Sequence, residues 1–537
     1  MSLPPSYEAQ SPTHEPAAAA PSPTPRAPAK QHTAGSAAIL LMFSAIGSGL
    51  LGLVRIKVIN QLWGAGPEQD AYQAAFKLPD LLAYFLIGGA ASISLITILN
   101  RYRERGDEGG GDRALSVILT TMLVVLGGGI LLGEIFAPQF LLLANKGFRT
   151  HPETLALCVH MTRIILPAQL FFFVGSVMGS RLQVRKIFIY QAFAPLIYNS
   201  GIILGALLFH RQLGVSSLAY GVLVGMFLGF GLLNSFGAFR TGLHFRPILG
   251  FRHPAFLEWL KLSLPLMIGV SLVMFDGYFL NYFASVREGG ITLISNAKLL
   301  FNAPFNVIGP AAGAASLPFF ASLFQQNRAH DFSASVSRAV SRLFCVGMIV
   351  SAWMIALGPW LMDLFRGGKF HRSDAAATTQ LFVILAGTLA LWAVQGIYAR
   401  AFYAASDTKT PAITGTLITV LSAPMYWALF HTLGLRGLAI ASDIGIFVQT
   451  ASLAILLHRK RLVSFAHLEY AELARALLAA VIAYAATAVA AHFLPPVSTH
   501  PRDLLTIAAA SLAWAAAAAL TLLATGSQLP RQILRRR

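Results

Sequence analysis

Between Ser48 and Tyr102 an arginine, a lysine–proline turn and two aspartates interrupt apolar runs that are otherwise long enough to cross a bilayer. A chain in hydrocarbon must satisfy its own backbone hydrogen bonds, which leaves only helices and closed barrels. Runs of about 20 apolar residues select the helix. A charge inside such a run is expensive and is retained where protein or water surrounds it and where it acts. Arg55, Asp70, Lys77 and Asp80 are therefore the first candidates for a substrate path.

With 56% hydrophobic and 12% charged residues, the chain as a whole reads as an all-α polytopic membrane protein. Fourteen apolar segments are expected, centred near residues 45, 88, 125, 168, 198, 227, 270, 308, 348, 390, 421, 446, 483 and 514. Placing the amino terminus in the cytoplasm and alternating sides puts 25 basic residues in inner loops and tails and 11 in outer loops. That bias predicts an even number of spans with both termini cytoplasmic. The net charge of +18 is thus topological and gives no reason to expect nucleic acid. Residues 1–34 hold eight prolines and few large apolar residues, so a disordered cytoplasmic tail is expected there. A second basic tail is expected over 527–537, ending in Arg535, Arg536 and Arg537.

An internal repeat is legible. Gly89-Ala90-Ala91-Ser92, which follows Pro79, returns as Gly313-Ala314-Ala315-Ser316 after Pro304. Leu213-Gly214 with Leu218-Ala219 returns as Leu433-Gly434 with Leu438-Ala439. The repeat predicts two pseudo-symmetric six-helix halves, 35–240 and 250–460, related by an axis along the membrane normal with a cavity between them. Two C-terminal helices over 470–526 are left over, rich in small residues that favour close packing.

No HExxH, P-loop, nucleophile elbow or CxxC is present, so neither catalytic nor metal-binding residues are expected. Cys158 and Cys345 read as small core residues. Without a nucleotide site, transport would run downhill, on the membrane potential or on a monovalent cation, and no cofactor is expected. What remains is charge within segments: Arg55, Lys77 and Lys298, which the two-half arrangement brings to the cavity. A cationic cavity suits a phosphate-bearing headgroup, whose lost water charge-assisted hydrogen bonds replace. Snorkelling to an interface competes for Arg55 and Lys77, and a structural ion pair for Lys298 and Arg163. Asp276, Asp407 and Asp443 are candidates for ion coupling by residue type, with helix-to-helix hydrogen bonding as the competing role.

These residues resemble the MurJ (MviN) lipid II flippases, within the superfamily of multidrug and polysaccharide-lipid exporters. The resemblance rests on Gly52-Leu53-Val54-Arg55, Gly64-Ala65-Gly66, Asp70-Ala71 and Ala75-Phe76-Lys77-Leu78-Pro79. It continues through Asn296-Ala297-Lys298, Leu364-Phe365-Arg366-Gly367-Gly368-Lys369-Phe370 and the stretch from Arg400 to Pro411. It implies a non-enzymatic transporter that moves an undecaprenyl-pyrophosphate-linked peptidoglycan precursor across the bacterial inner membrane by alternating access. It further implies a pyrophosphate held by cavity cations, with Arg55, Asp70, Lys77 and Lys298 as substrate-binding candidates and Asp70 orienting or gating the site. The last two helices would guide the lipid tail. Its partners would be the lipid-linked glycan, membrane lipids and cell-wall synthesis machinery, around a monomer. Some family positions are changed: Gly49, Ile56, Ala83, Tyr84, Gly88 and Leu299 stand where charged residues are usual. Three rivals stay open: a flippase for another polyprenyl-linked glycan, a non-transporting scaffold for glycan synthesis, and a drug or cation antiporter.

Overall fold

The computed structural model describes residues 34–84, 89–267, 272–493 and 500–530. The tail expected over 1–34, save its last residue, lies outside them, as do Gly88 and Arg535–Arg537. The side chains around Gly89–Ala91 and Gly313–Ala315, which carry one of the two repeat signatures, are likewise outside.

Among the described residues every regular element is a helix. The first group is α1 (Ala34–Trp63), α2 (Pro67–Ala75), α3 (Lys77–Leu82), α4 (Gly89–Glu104) and α5 (Glu108–Ala144). Next come α6 (Pro152–Ile165), α7 (Ala168–Val184), α8 (Ile189–Leu213), α9 (Ser216–Met226) and α10 (Leu233–Arg240). The chain continues as α11 (Pro254–Met267), α12 (Leu272–Ala284), α13 (Gly290–Gln325), α14 (Ala329–Asp363), α15 (Arg372–Ala386) and α16 (Leu389–Ala404). It ends with α17 (Lys409–Leu433), α18 (Leu435–Arg459), α19 (Tyr470–His492) and α20 (His500–Ala524).

Ten helices are long and apolar enough to cross a membrane, or eleven if α15 and α16, bent by 42°, make one span. This is fewer than the fourteen expected. The expected spans near 88 and 270 run through residues 85–88 and 268–271, which are not described, and the one near 308 falls in α13, outside the ten.

The repeat extends further than its sequence signature. Backbones with positive φ recur about 220 residues apart: Gly64 and Gly289, Gly106 and Asn327, Lys186 and Ser406, Gly214 and Gly434, Gly242 and Arg461. Gly214 (φ 55°, ψ −143°) and Gly434 (φ 61°, ψ −137°) make the same corner, between α8 and α9 and between α17 and α18. That conformation is close to glycine-only, which is why this part of the repeat survives in sequence.

Side-chain hydrogen bonds recur as well. On α5, Asp112, Ser116 and Thr121 accept the backbone N–H groups of His244 (2.9 Å), Arg246 (3.2 Å) and Gly250 (3.0 Å). On α14, Ser333 and Ser341 accept those of Ser464 (2.9 Å) and Glu469 (3.1 Å), and Ser337 donates to the Ser464 carbonyl. The two extended connections are thus pinned to equivalent helices, leaving their backbone polar groups satisfied.

The stretch carrying α11 and α12 divides its packing. α11 lies on α4 and α5, with Glu258 2.6 Å from Arg101, whereas α12 lies on α17 and α18. α19 and α20 pack on each other and on α14, with Trp353 donating to Ser511 at 2.8 Å and Trp514 to the Ile349 carbonyl at 2.9 Å.

Candidate functional site

Two groups of polar residues sit where α1–α3 meet α12, α13 and α16–α18. The first gathers around the C-terminal end of α1, near Trp63. Asp70 lies on α2, which begins with Pro67 at its first turn, a position where the missing N–H costs nothing. Its Oδ1 accepts from the Thr292 N–H at 2.8 Å and from the Thr292 hydroxyl at 2.7 Å. Thr292 is in the first turn of α13, so a carboxylate from elsewhere in the chain satisfies a free helix-end amide and meets the positive end of the helix dipole.

Around this contact, Asn60 accepts from Gln69 at 2.8 Å and from Asn296 at 3.1 Å, and Gly147 donates to Ser285 at 2.9 Å. Asn281 donates to Asn145. The Gly367-Gly368-Lys369-Phe370 turn lies against the end of α1: Lys57 donates to the Leu364 carbonyl at 2.5 Å, and Lys369 N–H to that of Gln61 at 3.0 Å. Gly368 has φ 54°, and a Cβ there would lie 2.1 Å from the Gln61 carbonyl oxygen. Only glycine permits that approach, which accounts for the paired glycines in the motif.

The second group lies deeper. Lys298 of α13 forms an ion pair with Asp276 of α12, which is 1% exposed. Tyr426 of α17 donates to the other Asp276 oxygen at 2.5 Å, and the Lys298 ammonium rests 4.6 Å from the centre of the Trp392 ring. Two-sided hydrogen bonding is what makes a buried carboxylate tolerable. Asp443 of α18 accepts from Thr388 at 2.6 Å and feels the charges of Lys298 and Asp276.

Lys77, at the start of α3, donates to the Gly277 carbonyl at 3.3 Å and interacts electrostatically with Asp80, Asp276 and Lys298. Tyr278 donates to the Lys77 carbonyl at 3.0 Å, and its ring centre is 5.4 Å from the Lys77 ammonium. Asp80 is exposed and interacts electrostatically with Lys77.

Of the predicted site residues, the structure brings Lys77, Lys298, Asp276 and Asp443 together. Arg55 stands apart: its Nη1 donates to Asn199 at 3.0 Å, and Asn199 in turn donates to Ser48 and to the Pro195 carbonyl. Asp70 belongs to the first group, on Thr292. Asp407 lies outside the spans, between α16 and α17, where it accepts from Thr410 N–H at 2.9 Å and from Lys460 at 2.5 Å. Burial pushes its carboxyl up, but the Lys460 and Thr410 hydrogen bonds outweigh that and hold it at about 2. Arg163 hydrogen-bonds the Glu134 carbonyl at 3.2 Å and pairs with its carboxylate at 3.8 Å.

The charge around Lys298 is mixed: Lys77 and Lys298 share their surroundings with Asp80, Asp276 and Asp443, as buried ammonium groups need counter-charge. Sequence reasoning missed Asn60, Thr292, Trp392 and Tyr426. Asn60 could have been found as an uncharged polar residue inside an apolar run.

The family model described as lipid II flippase MurJ matches residues 59–502. The lipid II flippase MurJ of Burkholderia cenocepacia is 27% identical over 430 residues, covering 77% of this chain and 81% of that protein. The probable lipid II flippase MurJ of Borreliella burgdorferi is 24% identical over 415 residues, 76% of this chain and 80% of the relative. A solved structure titled as lipid II flippase MurJ in an inward closed conformation superposes with a TM-score of 0.72 at 19% identity, over 90% of this chain and 99% of the other. An inward-facing multidrug resistance MATE family transporter of the MOP superfamily gives 0.64 at 16% identity, over 79% and 98%. These superpositions establish the fold, an all-helical architecture shared with those structures.

Proposed function

The chain belongs to the MurJ family of lipid II flippases, and we propose that it carries a polyprenyl-diphosphate-linked peptidoglycan precursor from the inner to the outer leaflet of the bacterial inner membrane by alternating access. The observation that supports the reading is the Lys298–Asp276 ion pair with Lys77 close by, together with the Asp70–Thr292 contact that ties α2 to α13.

The three segments near 88, 270 and 308, added to the eleven candidate spans, give the fourteen-span topology with both termini cytoplasmic. This topology makes the Trp63 end periplasmic and the cavity open to the cytoplasm. The pairs of positive-φ residues and the matched side-chain hydrogen bonds support two equivalent halves, 35–240 and 250–460, that rock about the cavity. In the resting state Asp276 serves as the anion for Lys298. An entering diphosphate competes for that ammonium and leaves Asp276 hydrogen-bonded to Tyr426. Lys77 adds positive charge from α3. The outer seal then opens and releases the headgroup, with the tail staying in lipid beside α19 and α20.

Asp443 is left as the candidate for coupling to a cation or to the membrane potential, since Asp276 already holds an ammonium and Asp407 is engaged by Lys460 outside the spans. The direct test is expression in a bacterium whose own lipid II flippase is shut off. Restored growth with restored outer-leaflet precursor supports the reading. Full expression and membrane insertion without rescue would move the substrate to another polyprenyl-linked glycan.

A further inference from the structure

We infer that Arg400 is a second anion-binding residue of the cavity, taking one phosphate of a diphosphate whose other phosphate is held at Lys298. The inference rests on the anion-carrying reading of the Lys298 site given above.

Arg400 is on α16, and most of that helix is committed to packing. Ala393, Val394, Ile397, Ala401 and Phe402 are buried against neighbouring helices. Trp392, Gly396, Arg400 and Tyr403, at spacings of four, four and three, form a separate stripe on one face. One end of the stripe is fixed at the Lys298 site by the Trp392 ring. At the other end, Tyr403 is 45% exposed and interacts electrostatically with Tyr84, just beyond α3. The stripe therefore runs from the Lys298 site toward the residues that follow α3.

The Arg400 side chain folds back along it. Its Nη1 lies 3.4 Å from where a Cβ on Gly396 would be, the N-terminal lean that helical side chains adopt. That places the guanidinium near the level of Gly396, about 6 Å of helix rise from Trp392. A single phosphate does not bridge that gap; the terminal oxygens of a diphosphate do.

Arg400 also differs from the other cavity cations in having no counterpart. Lys298 holds Asp276, Lys77 holds the Gly277 carbonyl beside Asp80, and Arg55 holds Asn199. Arg400 has neither hydrogen-bond nor ion-pair partner among the described residues. A half-buried guanidinium with no carboxylate partner among the described residues bears a desolvation cost that its electrostatic interaction with Tyr403 offsets only in part. Its planar fork is suited to two phosphate oxygens at once, which an ammonium is not, and Gly396 leaves the space beside it open.

The test is calorimetric binding of inorganic pyrophosphate and inorganic phosphate to the purified full-length protein in detergent, with folding of each variant checked by thermal melting. Wild type is expected to bind pyrophosphate at least about tenfold more tightly than phosphate, the ratio that one additional charged hydrogen bond supplies. Arg400→Gln should erase that preference and leave phosphate binding unchanged, and Arg400→Lys should restore part of it. Lys298→Gln should weaken both anions. If Arg400→Gln binds pyrophosphate as wild type does while Lys298→Gln weakens both, the role of Arg400 is overturned and the cavity reading stands. If wild type binds neither anion, or Lys298→Gln changes nothing, the cavity reading falls and the inference with it.

Discussion

Asp70 caps α13 from the opposite half of the molecule, its Oδ1 receiving both the N–H and the hydroxyl of Thr292 at 2.8 and 2.7 Å. A hydrogen bond contributes about 0.5–1.5 kcal/mol net. In the proposed cycle a contact of this size biases the equilibrium toward the outward-sealed state without making it permanent. Asp70→Ala should therefore populate the open outer face. A cysteine at Asn296, buried in this state, should react several-fold faster with a membrane-impermeant maleimide added from outside in the Asp70→Ala background. Unchanged labelling would remove Asp70 from the gate.

The Lys298–Asp276 pair separates folding from transport. Removing one partner of a buried pair costs about 3–5 kcal/mol, so Lys298→Met alone should lower the melting temperature markedly. Lys298→Met combined with Asp276→Leu should recover most of the stability and none of the transport. Recovery of transport in the double variant would show that the pair is only structural.

Asp407 gives a prediction about pH. Its folded carboxyl is held at about 2 by Lys460 and Thr410, below the unfolded value of about 3.9. The stabilisation is therefore present above the unfolded value and is lost as pH falls through about 2. Between pH 5 and 9, roughly, the group stays ionised in both states and contributes no slope. The dependence of the melting temperature on pH in that interval should be the same in wild type and Asp407→Asn. A changed slope would place a titrating proton at this residue.

Gly368 should resist substitution. Its φ of 54° and the 2.1 Å approach to the Gln61 carbonyl mean that Gly368→Ala has both a backbone penalty and a collision. A loss of about 1–3 kcal/mol is expected from the backbone alone. Gly434→Ala, with a similar φ but open space around it, should carry the backbone cost and no collision. Equal melting temperatures for the two variants would contradict the close seating of this turn on α1.

The sequence made the helices and the repeat readable because both rest on local rules: apolar run length, and corners that only glycine takes. Gly214 and Gly434 show this, while their partners in the longer series, Lys186 and Ser406 or Gly106 and Asn327, adopt the same positive φ with unlike side chains and so leave no trace in letters. The site was legible in its charges and not in its pairing. Lys298 and Asp276 are 22 residues apart in sequence, and Tyr426 joins them from another helix. Asp70 and Thr292 meet across 222 residues. Such contacts are set by how the halves dock, which no local pattern encodes. Thr292 and Asn296, uncharged, gave no cost argument to flag them.

In the proposed cycle the substrate leaves only when α1 and α13 separate at the outer end. Asn60 and Asn296 meet there at 3.1 Å, and the native Cys158 and Cys345 are buried. Asn60→Cys with Asn296→Cys, bridged by a short bifunctional methanethiosulfonate reagent, joins the two halves and is released by reductant. The outer-leaflet precursor should be measured in a flippase-depleted strain carrying this variant. Bridging is expected to abolish the outward signal and reduction to restore it. Undiminished signal from fully bridged protein would show that the two helices need not separate.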